Sequence, residues 1–110
     1  MNKIKISAVS YLNSKPFIYG LHHSNLFNEI ELSQDIPSVC AQKFIDEKVD
    51  IGLIPITVIP KLKEYYIISD YCIGAVGKVS SVMLYSDVPL NAIKNILLDY
   101  QSLTSVTLIQ

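Results

Sequence analysis

The chain has 110 residues, half of them hydrophobic and 17% charged, with a formal net charge of −1. That length suits one small domain; the charge gives no basic face for nucleic acid, and no apolar run approaches the roughly 20 residues that span a bilayer. All nine cationic side chains are Lys and none is Arg, so a bound anion must be held by backbone N–H groups, hydroxyls, amides or Lys rather than by a guanidinium fork.

Ile4, Ile6 and Ala8 alternate with Lys3, Lys5 and Ser7, the period-2 pattern of a strand. It begins directly after Met1 and Asn2, without the apolar stretch of a secretory leader, so a cytoplasmic protein is expected. Ser10-Tyr11-Leu12-Asn13 comes next. Pro16 then suits the first turn of a helix over 14–22, which Asn13 or Ser14 can cap. Phe17, Ile18 and Leu21 give that helix its apolar side, and Gly20 keeps it short. A polar loop between a strand's carboxyl end and a helix start is where open α/β sheets bind small anions. Plain capping explains the same residues equally simply. His22 and His23 are adjacent and lack the i, i+4 placement of metal ligands, which makes them surface residues near a helix end.

Ile30 and Leu32 alternate with Glu29 and Glu31, a second strand. Asp35 and Pro37 open a helix in which Ile36, Cys40, Ala41, Phe44 and Ile45 recur at helical spacing. Gln42, Asp46 and Glu47 take its wet side, Lys43 precedes Glu47 by four positions, and Lys48 complements the negative end. The run over 49–54 predicts a strand buried on both faces and therefore central. Pro55 ends it, and a short helix is expected over 56–62. Segments 65–68, 71–76, 82–85 and 96–98 have strand composition, Pro89 opens a one-turn helix, and 102–110 begins another. Cys40 and Cys72 have no CxxC or nearby His and are expected as reduced, buried thiols. The alternation predicts an α/β fold, a mostly parallel sheet with helices on both faces. Asp87-Val88-Pro89 is the expected boundary between one lobe and the remainder of the chain.

Three further polar loops interrupt apolar segments. Gly74-Ala75-Val76-Gly77 precedes Lys78, Ser80 and Ser81, with Gly77 suited to positive φ. Ile54-Pro55-Ile56-Thr57 ends the third strand, and Gln101-Ser102-Leu103-Thr104-Ser105 opens the last helix. The phrases Ser10-Tyr11-Leu12-Asn13-Ser14-Lys15-Pro16, Asp50-Ile51-Gly52-Leu53-Ile54-Pro55, Val79-Ser80-Ser81-Val82 and Asp99-Tyr100-Gln101-Ser102-Leu103-Thr104-Ser105-Val106 occur in this order. Together they resemble the chorismate dehydratase family of the futalosine route to menaquinone, across essentially the whole chain.

The resemblance implies a type II periplasmic-binding-protein architecture of two lobes with substrate between them. On that pattern residues 1–88 form the first lobe and 89–110 begin a second, truncated one, without the strand that returns to the first sheet. The implied reaction is a cofactor-free and metal-free loss of water from chorismate, giving 3-[(1-carboxyvinyl)oxy]benzoate. The resemblance makes Asn13 and Ser81 the catalytic positions, and Ser10, Tyr11, Ser80, Ser102, Thr104 and Ser105 substrate-binding ones. Leu103 stands where the family pattern usually has Arg, and Val76 where a polar or acidic residue is common. The missing return strand suggests a homodimer or strand exchange. Two other readings stay open: a small-anion solute-binding module of the same fold, and an inactive truncated copy.

Overall fold

The computed structural model describes residues 2–110. Its first half keeps to the alternation: strand β1 (Ile4–Val9), helix α1 (Lys15–His22), strand β2 (Ile30–Asp35), helix α2 (Pro37–Ile45), strand β3 (Ile51–Gly52) and a 3₁₀ helix over Ile56–Lys61. The three strands form one parallel sheet in the order β2-β1-β3. β1 pairs with β2 from Ile4↔Ile30 to Val9↔Asp35, and with β3 at Ile6↔Ile51 and Ser7↔Gly52. The fold is therefore α/β, built on a small parallel sheet.

β1, not β3, is the central strand. From Ile6 to Val9 it is buried at every position, so both faces of the sheet centre are covered. β3 lies at the edge and is only half-buried. Asp50 and Gly52 also interrupt its apolar run. The Asp50 carboxylate accepts from Lys5 N–H at 2.8 Å, and Gly52 supplies no apolar side chain. An added Cβ at Gly52 would lie 2.8 Å from Phe44 Cδ2 and 3.1 Å from Ile54 Cγ2, so α2 presses directly on that backbone.

α2 lies across all three strands and buries Cys40 and Ala41 completely. Its N-cap is Ile36, with Pro37 in the first turn. It stops in a six-to-one turn: Lys48 N–H donates to Lys43 C=O while Glu47 takes φ 54°, the left-handed position usually given to Gly. Lys43 does not reach Glu47. It bonds Asp35 and the Ser33 hydroxyl, tying α2 to the end of β2. The expected cap of α1 is also absent: Ser14 holds the N-cap position without a side-chain capping bond. A 3₁₀ turn over Leu12–Ser14 runs straight into α1, so Ser14 has helical rather than extended backbone. His22 and His23 are exposed at the helix end, as expected.

Beyond Leu62 the chain changes character. None of the segments 65–68, 71–76, 82–85 and 96–98 forms a strand. Their composition suits a pleated surface, but strand propensity is realised only against a partner backbone. Residues 63–88 make no backbone-to-backbone hydrogen bond among the described residues. Gly77 has φ 83°, as its position suggests. Cys72 is an exposed free thiol, correcting the expectation that both cysteines are buried. A 3₁₀ turn over Leu90–Ala92 and helix α3 (Leu103–Ile109) complete the chain, and α3 packs against the 3₁₀ helix at Ile56–Lys61.

The accessible surface is 9055 Å², where a compact protein of this mass exposes about 6,100 Å². The radius of gyration is 16.6 Å, against about 13 Å for a compact chain of this length. The excess belongs to the second half, where Tyr66, Ile67, Ile68, Tyr71, Tyr85, Leu97 and Tyr100 are among the exposed apolar residues. No helix among the described residues is long and apolar enough to cross a membrane.

Candidate functional site

Two hollows of similar size lie near the sheet. One, of about 480 Å³, includes Lys3, Lys5, Lys48, Glu31, Glu47 and Asp50 in its wall, and so lies by the amino ends of β1 and β2. Its charges alternate in sign, as on an ordinary solvated edge. The other, of about 510 Å³, lies beyond the carboxyl end of β1. Parallel sheets bind ligands at that end; the hollow is broadly open to solvent.

Asn13, Pro16 and Phe17, from the turn after β1 and the first turn of α1, form one wall of this second hollow. Ser69, Tyr71, Cys72, Ile73 and Gly74 form the other. The strand end and the 3₁₀ turn fix the first wall: Ser10 N–H donates to Asp35 C=O at 2.8 Å, and Ser14 N–H to Tyr11 C=O at 3.1 Å. Asn13 is exposed and keeps its amide free of intramolecular bonds among the described residues. No Lys lines the hollow. An anion there would meet amide, hydroxyl and backbone donors, with the uncapped first turn of α1 beside it.

Tyr11 faces another neighbour. Its hydroxyl donates to Gln101 Oε1 at 3.0 Å, bringing the loop after β1 to the start of α3. There Ser102 caps α3. Its Oγ accepts from Ser105 N–H at 3.2 Å and from Ser105 Oγ at 2.9 Å. Ser102, Leu103, Thr104 and Ser105 are all half-buried. One side-chain bond thus joins Tyr11 to Gln101, the neighbour of Ser102; Ser10, Tyr11, Ser102, Thr104 and Ser105 do not line the hollow with Asn13. Ser80 and Ser81 are exposed on the 79–82 bend and do not line the hollow with Asn13.

Three hydroxyls are buried without a hydrogen-bond partner among the described residues: Ser7, Ser14 and Thr57. An unsatisfied buried hydroxyl costs about 1–3 kcal/mol, so native structures keep few. Ser14 comes directly after Asn13, and Thr57 opens the 3₁₀ helix that leaves β3. Ser14 follows β1 and Thr57 follows β3, its neighbour in the sheet. The sequence marks Thr57 only as a polar residue after a strand, and nothing local predicts that either hydroxyl is orphaned. No group of three or more His, Cys, Asp or Glu positioned to hold a metal occurs among the described residues.

A family model described as menaquinone biosynthesis matches residues 4–110. No curated protein and no solved structure matches the chain significantly.

Proposed function

Since this chain belongs to the menaquinone biosynthesis family, we propose that it serves a hydro-lyase that removes water from chorismate to give 3-[(1-carboxyvinyl)oxy]benzoate, in the futalosine route. The observation that carries this reading is Asn13: a free amide on the wall of a 510 Å³ hollow at the carboxyl end of the central strand. In the reaction one ring C–H bond and one C–O bond break. The C–H electron pair completes the aromatic ring, and the proton leaves with the hydroxyl as water. The gain of aromaticity drives the step, so the protein's work is to orient the dianion and assist two short proton movements.

In this reading Asn13 hydrogen-bonds the substrate and fixes its ring. The reading also gives Ser81, with Ser80 beside it, the departing hydroxyl or a neighbouring carboxylate, although both stand on the exposed bend outside the hollow. Ser10 and Tyr11 line the approach, and Ser102, Thr104 and Ser105 supply hydroxyls to the second carboxylate. A neutral Ser is a weak base, so a substrate carboxylate is the better proton acceptor. Leu103 is half-buried in the first turn of α3, where it contributes packing in place of the guanidinium usual in the family pattern.

The architecture we infer is a type II periplasmic-binding-protein lobe over 1–88 and then the start of a second lobe at 89–110. α3 packs against Ile56–Lys61 and so brings 89–110 onto the first segment, while the hollow itself is walled by residues of 1–88. The exposed free thiol of Cys72 suits a reducing, cytoplasmic setting. The apolar surface beyond Leu62 takes a second copy of the chain in this reading. Tyr66, Ile67, Tyr71, Tyr85 and Leu97 are all largely exposed there, and the outer edge of β3 has no strand beside it among the described residues.

Chorismate incubated with the protein should yield the aromatic enol ether, seen by its ultraviolet absorbance and by mass. Asn13→Ala should lower turnover roughly 100-fold with an unchanged melting temperature, because its side chain is exposed. Chorismate bound without product would favour a small-anion solute-binding module. Neither binding nor product would identify an inactive copy.

A further inference from the structure

Gln101 makes three hydrogen bonds in three directions. Its Oε1 accepts from Tyr11 OH at 3.0 Å. Its Nε2 donates to Tyr100 OH at 2.8 Å. Its backbone N–H donates to Asp99 Oδ1 at 2.9 Å. The two side-chain bonds are complementary: one end of the amide accepts while the other donates, so each holds the amide in the orientation the other requires. The next residue, Ser102, is the N-cap that starts α3. Gln101 therefore stands where the extended stretch becomes a helix, and it holds that point to the loop after β1.

The Tyr11–Gln101 bond lies in an exposed setting. Exposed hydrogen bonds add little net stability because water replaces them. What this bond can set is position. Tyr11 is two residues before Asn13, and Gln101 directly precedes Ser102. Resting on the functional reading above, we propose that Gln101 is a positioning residue. It fixes the spacing between Asn13 and the Ser102, Thr104 and Ser105 hydroxyls, and so tunes affinity for a dicarboxylate substrate without touching it. Those hydroxyls hold a carboxylate remote from the departing hydroxyl, so their misplacement weakens ground state and transition state alike and shows in KM.

The test compares Gln101→Leu, which keeps the bulk and loses both side-chain bonds, with Gln101→Glu, which keeps an acceptor for Tyr11. Gln101→Leu should raise the KM for chorismate roughly tenfold, leaving kcat and the melting temperature near wild type, while Gln101→Glu should retain most of the affinity. Added to Tyr11→Phe, Gln101→Leu should bring little further loss, because the two partners form one link. Hydrogen exchange supplies a readout independent of turnover: the bonded amides at the start of α3, Ser105 and Val106, should exchange faster in Gln101→Leu and Tyr11→Phe to a similar degree, and near the wild-type rate in Gln101→Glu. Unchanged exchange in Gln101→Leu overturns the proposal, as does a wild-type KM in an active protein or full additivity with Tyr11→Phe. If the wild type makes no product, the chemistry proposed for the chain fails, and the exchange pattern still decides the role of Gln101.

Discussion

Residues 2–62 and residues 63–100 are both rich in Ile, Val, Leu and Tyr, yet only the first stretch is packed. In the first, β1 meets a partner strand on each side and α2 lies across the sheet. Ile6, Ala8, Val9, Ile18, Ile30, Cys40, Ala41 and Val58 are its buried apolar residues. In the second, Ile67, Leu97 and Tyr85 remain in solvent. Hydrophobic composition gives a segment a reason to be buried; a matching backbone or face is what allows it.

Self-association is the largest expected consequence of that contrast. Light scattering at micromolar concentration should give twice the chain mass, and Leu97→Glu should shift the equilibrium toward monomer. A cooperatively folded monomer throughout would show that the exposed stretch does not take a second copy. Next comes a matched pair of truncations. Ile18→Ala, at a site 5% exposed, should cost about 2–5 kcal/mol in urea unfolding. Ile67→Ala, at a site 77% exposed, should fall within about 0.5 kcal/mol of wild type. Equal costs would mean that the two stretches are packed alike in solution. The smallest effect is confined to the packed half. Hydrogen bonds from Lys48 and Gln42 hold the Asp46 carboxyl below its ordinary value of 3.8. Its contribution to stability is therefore present above about pH 4 and fades as pH falls through the lowered pKa. Asp46→Asn should remove that slice of the acid transition, visible as a slightly shallower loss of stability in thermal melts below pH 4.

The same contrast explains what could be read from sequence. β1, α1, β2 and α2 were legible because each carries its own period, with Ile4-Ile6-Ala8 at two and Cys40-Ala41-Phe44-Ile45 at helical spacing. Segments such as 82–85 have a strand's composition, but no sequence pattern says whether a neighbouring backbone will be there. The central place expected for β3 failed for a related reason: its apolar run is genuine, but order within a sheet depends on which neighbour the chain finds next. The position of Asn13 at a strand's carboxyl end was readable from Ile4 through Pro16. Its hollow was not, because the opposite wall comes from residues 69–74. The meeting of Tyr11 with Gln101 was equally hidden, since each is an ordinary polar side chain in its own loop. The uncapped start of α1 escaped because Ser14 has the right chemistry for a cap and the wrong backbone.

Gly52 couples the hollow beyond the carboxyl end of β1 to a contact beneath α2. The bare backbone there acts as a spacer gauge between the edge strand and the aromatic ring of Phe44. Immediately beyond it, Leu53 N–H is fastened to Ser7 C=O at 2.9 Å, on the strand that runs on to Ser10 and Asn13. A methyl group inserted at this gauge shoves either the ring or the strand, and a shoved strand carries its tip along. In a mutational screen, an alanine allele at this codon would score with the lesions around the hollow, although its cause is a contact on the side of the sheet covered by α2.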